Sequence, residues 1–382
     1  MSQPAKAYVG GAIHDGKQLH DDKVLLAFAD GRAEIAGPGA LPEGVQTADL
    51  NGATILPGFV DLQVNGGGGV MFNDDQSIAT LQTMAAAHAS IGTAALLPTL
   101  ITDRPDRTQA AIDAVEQAMS EGVDGIVGIH LEGPHLSVAR KGAHDPTLIR
   151  SMTDSDLQVL LKAADRLPNV MITVAPENCT NAQIAALSDA GIIVSLGHSD
   201  ACYNTCMAAF DAGARCVTHL FNAMSQLGNR EPGLVGAALS HGDVHAGLIA
   251  DAIHVHPATI RAALDAKVGA DRVFLVSDAM ATAGSAITQF TLNGRGIHRQ
   301  DGRLTLGDGT LAGADLELSK AISVLVNQSG QSLGSAIAKA TSIPAGLLRD
   351  DCGLGQFQNR LSGLFVLNPA LNRITRLVDF QS

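Results

Sequence analysis

The chain repeats one unit, a continuously apolar run that ends on a polar side chain and is followed by helical periodicity. The runs are TILPGFVDLQ (54–63), TAALLPT (93–99), GIVGIHLEG (125–133), VMITVAPE (170–177), IIVSLGHS (192–199), CVTHLFN (216–222), AGLIADAIH (246–254) and VFLVSDA (273–279). Strands apolar on both faces belong to a parallel sheet covered by helices on each side. The intervening segments supply such helices. Ile112, Val115 and Met119 share one face after Pro105, and Leu157, Leu160, Leu161 and Ala164 share another. Eight such repeats in about 300 residues predict a (β/α)8 barrel of the TIM type. A doubly wound sheet is the competing arrangement, but no G-x-G-x-x-G opens a helix.

The two ends have a different texture. Within residues 1–56, short apolar stretches break at Asp15-Gly16 and Asp30-Gly31, which are hairpin signals. The last stretch, GLFVLNPALNRITRLVDF, reads as strand, turn, strand. Both ends are expected to pair into one small β-sandwich, from residues 1–56 and 360–382, around a barrel of residues 57–359.

Composition narrows the function. A net charge of −13 argues against nucleic acid or an anionic membrane surface as partner. An anionic small molecule would need a local pocket of cations. There is no tryptophan, so an aliphatic core is expected. Five cysteines without a C-x-x-C predict a reducing, cytoplasmic setting with no disulfide framework. No apolar run approaches the roughly 20 residues of a membrane-spanning helix. The start, MSQPAKAYVGG, carries no signal-peptide pattern.

In a barrel of this kind the strand C-termini meet at one mouth. They offer Gln63, Glu132, Glu177, His198, His219, Asp251, His254 and Asp278. Glu132, His198 and His219 form a metal-ligand set of one carboxylate and two imidazoles, a donor combination suited to catalytic zinc. Burying those three together without a cation would be costly. Asp278 follows a buried run; it reads either as a helix N-cap or as a general base beside the metal. The glycines from Gly66 to Gly69 are expected to make a turn with positive φ and not a phosphate loop, since no G-K-[ST] follows. His14, His20, His241, His245 and His298 are expected at the surface. Cys202 and Cys206 are expected to pack together on a helix.

The stretches PGFVDLQVNG, HLEGPH, KGAH, SLGHSDA, THLFNAM, SDAM and DGTLAGADL resemble the amidohydrolase superfamily, in its branch of sugar-phosphate deacetylases. That resemblance implies hydrolysis of the acetamide of N-acetylglucosamine 6-phosphate, with the galactosamine epimer as the alternative substrate. It implies one divalent ion per chain, zinc, held by Glu132, His198 and His219. It makes Asp278 the general base and acid, and His144 the group that helps polarise the amide carbonyl. Asn222, Ala223, Arg230 and His254 would hold the sugar phosphate. Ala143, Asp251, Ala252, Ile253, Leu311, Ala312 and Gly313 would add further contacts. Arg230 is expected to serve a neighbouring subunit in a homodimer or larger homo-oligomer. Most superfamily members carry H-x-H at the end of the first barrel strand and bind a second metal there. This sequence has Gln63-Val64-Asn65, and an amide is a poor ligand beside imidazole. The implied centre therefore has one metal, with Gln63 as a hydrogen-bonding neighbour.

Overall fold

The computed structural model describes residues 3–381. Eight strands follow in chain order: β1 (Phe59–Val64), β2 (Thr93–Ile101), β3 (Ile129–Glu132), β4 (Val170–Val174), β5 (Ile193–Leu196), β6 (Cys216–Val217), β7 (His245–Leu248) and β8 (Val273–Leu275). Each pairs in parallel with the next. A parallel bridge between Val64 and Ala279 joins the two outer strands at the mouth. This is the TIM-type barrel the repeats predict. Every residue of β1, β3, β4, β5 and β6 is buried, which explains why their sequences do not alternate. Helices of the repeats pack outside. Asp154–Arg166 begins with a capping box of Thr153 and Asp156, and buries Leu160, Ala163 and Ala164. Asn181–Asp189 starts the same way, with Thr180 and Gln183. Fully buried aliphatic side chains such as Leu62, Leu97 and Ile172 each contribute roughly 1.5–3 kcal/mol from removal of apolar surface.

The first apolar run is not one strand but two, in different sheets. Thr54–Pro57 pairs antiparallel with Leu364–Leu367 and parallel with Ala12–His14, and only then does β1 begin. Gly58 makes the transition: a Cβ there would sit 2.4 Å from the Ala94 side chain. The C-terminal strands Leu364–Leu367 and Ile374–Arg376 thus join strands from the N-terminal end. A second sheet of Lys6–Val9, Val24–Ala27, Ala33–Ala36 and Gln46–Asp49 packs against it through Tyr8, Ile13, Leu25, Ile55, Leu364 and Val366.

One unit of the fold has no counterpart in the periodicity. After β8, the strands Gln289–Leu292, Arg295–Gln300, Arg303–Thr305 and Leu311–Ala314 form a four-stranded antiparallel sheet. Its first hairpin turns at Asn293-Gly294, with φ of 51° and 75°. Leu292, Ile297, Leu304 and Ala312 press against Met71, Ile101 and Met280, which seats this sheet at the barrel mouth.

The glycine run behaves as expected. Gly66–Gly67 pairs back with Val70–Met71, and Gly68 and Gly69 turn with φ of 64° and 92°. Two expectations fail, one for a surface residue and one for a packed pair. His14 is buried, because its ring bridges the Gly16 N–H and the Gly334 carbonyl across two parts of the fold. Cys202 is exposed: it precedes helix Tyr203–Asp211 as the cap residue, and only Cys206 is buried. Among the described residues no helix is long and apolar enough to cross a membrane.

Candidate active site and metal centre

Glu132 is the last residue of β3, while His198, His219 and Asp278 stand just past β5, β6 and β8. The three that overshoot their strands have φ of 47°, 28° and 49°. Non-glycine residues adopt this left-handed region at a cost, and such strain gathers at functional sites. Here it turns each side chain from the barrel wall to the mouth.

Glu132 Oε1 lies 3.2 Å from His198 Nε2 and 3.1 Å from His219 Nε2, and those two nitrogens are 3.1 Å apart. His198 Nδ1 is 2.8 Å from the Arg140 carbonyl. A carbonyl only accepts, so Nδ1 carries the proton and the neutral ring turns the lone pair of Nε2 inward. His219 Nδ1 is buried without a partner among the described residues. A carboxylate and two imidazole nitrogens therefore converge with too few protons between them, and the cluster calls for positive charge. Burial works against the Glu132 carboxylate, yet the flanking imidazoles of His198 and His219 hold its pKa well below the usual range. Burial likewise opposes charge on His219, but Glu132 raises its pKa overall. Among the described residues these three are the one His, Cys, Asp and Glu group able to hold a metal ion. Their donor types fit a divalent cation of the zinc class.

Asp278 stands against this cluster. Burial, then the charge of Glu132, lift its carboxyl to about 6. Its Oδ1 accepts from Asn65 Nδ2 at 2.7 Å and from Gln63 Nε2 at 3.2 Å. Gln63 Nε2 also reaches Glu132 Oε1 at 3.3 Å. The amide expected as a neighbour is in contact with both acids. Asp278 begins no helix, so the capping alternative falls away.

His144 completes the floor. Its Nδ1 accepts from the Thr102 N–H at 3.3 Å and lies 2.8 Å from Thr102 Oγ1. An accepting Nδ1 places the proton of the neutral ring on Nε2, which lies 4.0 Å from Glu132 Oε2. Burial keeps the His144 pKa well below its ordinary value, so the ring is a neutral donor.

The cleft above these groups holds about 400 Å³. Of the residues the sequence singled out, Ala143, Asn222, Ala223, His254, Leu311 and Gly313 line it with the metal set, His144 and Asp278. Asp251 stands behind: its Oδ2 accepts a hydrogen bond from His254 Nδ1 at 2.6 Å, and its Oδ1 accepts from the Ile253 and His254 backbone N–H groups. Gln63, Ala252 and Ile253 are off the cleft wall, and Ala312 turns into the apolar cluster beneath the mouth sheet. Glu177 is also diverted: it accepts from Ser199 Oγ and the Asp200 N–H and so braces the turn after His198. Arg230 does not reach this cleft. It is exposed, and among the described residues it forms no hydrogen bond or ion pair. Thr102, Arg140 and Arg295 escaped the sequence reading, and Asn65 entered it only as an amide in place of a ligand. Arg140 lines the cleft while paired with Asp200 at 2.8 Å, and Arg295 donates to the Ala143 carbonyl from the mouth sheet. Asn65 was visible beside Gln63; the others had no signal, because their partners are distant in sequence.

Residues 54–356 match the Amidohydrolase family. The chain belongs to this family. An N-acetylgalactosamine-6-phosphate deacetylase from Shewanella sp. is 44% identical over 296 residues, covering 78% of this chain and 74% of that protein. An N-acetylglucosamine-6-phosphate deacetylase from Haemophilus influenzae is 36% identical over 343 residues, 89% of each chain. The crystal structure of N-acetylglucosamine-6-phosphate deacetylase from Pasteurella multocida superposes with a TM-score of 0.87 at 34% identity, covering 96% of both chains. The likeness therefore extends through the small sandwich and the mouth sheet.

Proposed function

We propose that this amidohydrolase removes the acetyl group of N-acetyl-D-glucosamine 6-phosphate, giving D-glucosamine 6-phosphate and acetate. The observation that carries the reading is the convergence of a three-ligand cluster, a buried Asp278 and a donating His144 on one cleft. The similarity to sugar-phosphate deacetylases over nearly the whole chain supports the substrate class.

Glu132, His198 and His219 would hold one divalent ion, zinc by donor type, which supplies Lewis-acid polarisation and lowers the pKa of water. His144 donates its Nε2–H to the amide carbonyl oxygen and stabilises the negative charge that grows there. Asp278 takes a proton from the attacking water as the carbon–oxygen bond forms. It then returns that proton to the nitrogen as the carbon–nitrogen bond breaks, so the amine and acetic acid form, and the acid's remaining proton passes to the amine or to solvent as acetate leaves. His254, oriented by Asp251, and the cleft residues Asn222, Ala223 and Leu311 hold the sugar, with backbone contacts from Ala143 and Gly313.

The phosphate needs a cation, and among the described residues Arg140 at the cleft is paired with Asp200 and Arg295 near it with the Ala143 carbonyl. Arg230, exposed and unpaired, is the group for it, donated by the second subunit of a homodimer. A guanidinium meets a phosphate with two parallel hydrogen bonds. Five free cysteines suit a cytoplasmic setting.

The Shewanella relative favours a second reading, the galactosamine epimer, which would keep the metal cluster and Asp278 and change only contacts to the C4 hydroxyl. Acetate release from both N-acetyl 6-phospho sugars, with and without chelator, tests both. Faster turnover of the glucosamine compound that chelator abolishes is the expected result. Preference for the galactosamine compound selects the second reading, and release from neither sugar rejects both.

A further inference from the structure

Asn65 lies just past β1 and is 2% exposed. Its backbone is clamped on both sides: its N–H donates to the Ala279 carbonyl at 2.8 Å, and its carbonyl accepts from the Phe72 N–H at 2.9 Å. From this fixed base its Nδ2–H donates to Asp278 Oδ1 at 2.7 Å, the shortest of the side-chain bonds to that carboxylate. The other half of the amide gains nothing, because Asn65 Oδ1 is buried with no partner among the described residues. Leaving a buried acceptor unpaired is costly, and an apolar side chain of similar shape would avoid that cost. A residue placed there for packing alone has no reason to carry the amide. Local violations of this kind mark sites where function sets the residue.

We propose that Asn65 is a positioning residue for Asp278. Its N–H, with that of Gln63, holds Oδ1 as an acceptor and leaves Oδ2 as the oxygen that takes and returns the proton. Oδ1 accepts whether Oδ2 is bare or protonated, so the carboxyl keeps one orientation in both halves of the reaction. A second cation at this place would oppose the protonated state; two amide dipoles do not. The inference rests on the proposed deacetylation, in which Asp278 carries the proton.

The test is Asn65→Leu, which keeps the shape and removes the amide, with Asn65→Ala as a second variant. Metal content, KM for the 6-phospho sugar, thermal unfolding, kcat and a crystal structure are compared with the parent. A lost orienting bond is expected to lower kcat by about 10–100-fold. KM and metal content should hold, the melting temperature of the leucine variant should equal or exceed the parent's, and the Asp278 carboxylate should be rotated or split between rotamers. Parental kcat with Asp278 unmoved overturns the proposal. So does a fall in kcat that merely follows loss of metal or of folding in both variants, since that is a packing role. A rotated Asp278 in a protein whose parent releases no acetate sustains the positioning of the carboxyl and sinks the deacetylase reading instead.

Discussion

His198 Nε2 and His219 Nε2 stand 3.1 Å apart, and both lie within 3.2 Å of the same oxygen of Glu132, so three metal-donor atoms face one point. Purified active protein should therefore contain one divalent metal per chain by elemental analysis. Glu132→Gln should lower that content and abolish chelator-sensitive turnover. Two tightly held metals per chain would overturn the single-site assignment.

Asp278→Asn preserves shape and removes the proton acceptor. Metal content and substrate binding should survive, while kcat falls by roughly 10²–10⁴-fold. Near-parental turnover would take the general base role away from Asp278.

Arg230→Ala should weaken kcat/KM for the phosphorylated sugar by about 10–100-fold, as expected for losing a charge-assisted bond, and barely alter the unphosphorylated one. Equal effects on both sugars would exclude phosphate recognition. Mixing Arg230→Ala chains with Asp278→Asn chains tests sharing across an interface. Restored activity supports a donated arginine, and activity at the parental floor of the two mutants refutes it.

Asp61 predicts a pH effect on stability. It is fully buried below the site, where it accepts the Ser277 and Gln63 N–H groups, and burial lifts its carboxyl to about 7. With a folded pKa above the unfolded one, its stabilising contribution is complete below about pH 4 and is lost as pH rises through about 7. The gap corresponds to as much as about 4 kcal/mol. Asp61→Asn, which keeps one acceptor, should lose that part of the decline in urea unfolding between pH 4 and pH 8. Parallel pH profiles for the two proteins would show that Asp61 does not titrate in this range.

The barrel was legible because a strand buried on both faces must be apolar throughout, and eight runs such as VMITV around β4 declare this locally. The metal set was legible for a related reason: Glu132, His198 and His219 interrupt those runs at their ends, where polar groups meet in such a fold. Gln63 and Asn65 also announced a change of chemistry by their amides. Their common target, Asp278, lies more than 200 residues away in sequence, and only barrel closure at Val64 and Ala279 brings them together. The same holds for Thr102, which fixes the His144 tautomer from another strand end, and for Arg295, which reaches the Ala143 carbonyl from a sheet with no repeat to reveal it. Exposed Arg230 marks the opposite boundary: among the described residues its side chain has no partner, so neither the sequence nor the fold of one chain assigns it a role. The sequence by itself determined which residues could be buried, and so the strands, their order and the donor types at their ends. Hydrogen-bond partners, tautomers and the oxygen of Asp278 left free depend on contacts of under about 3.5 Å between distant segments, and these the tertiary structure alone decided.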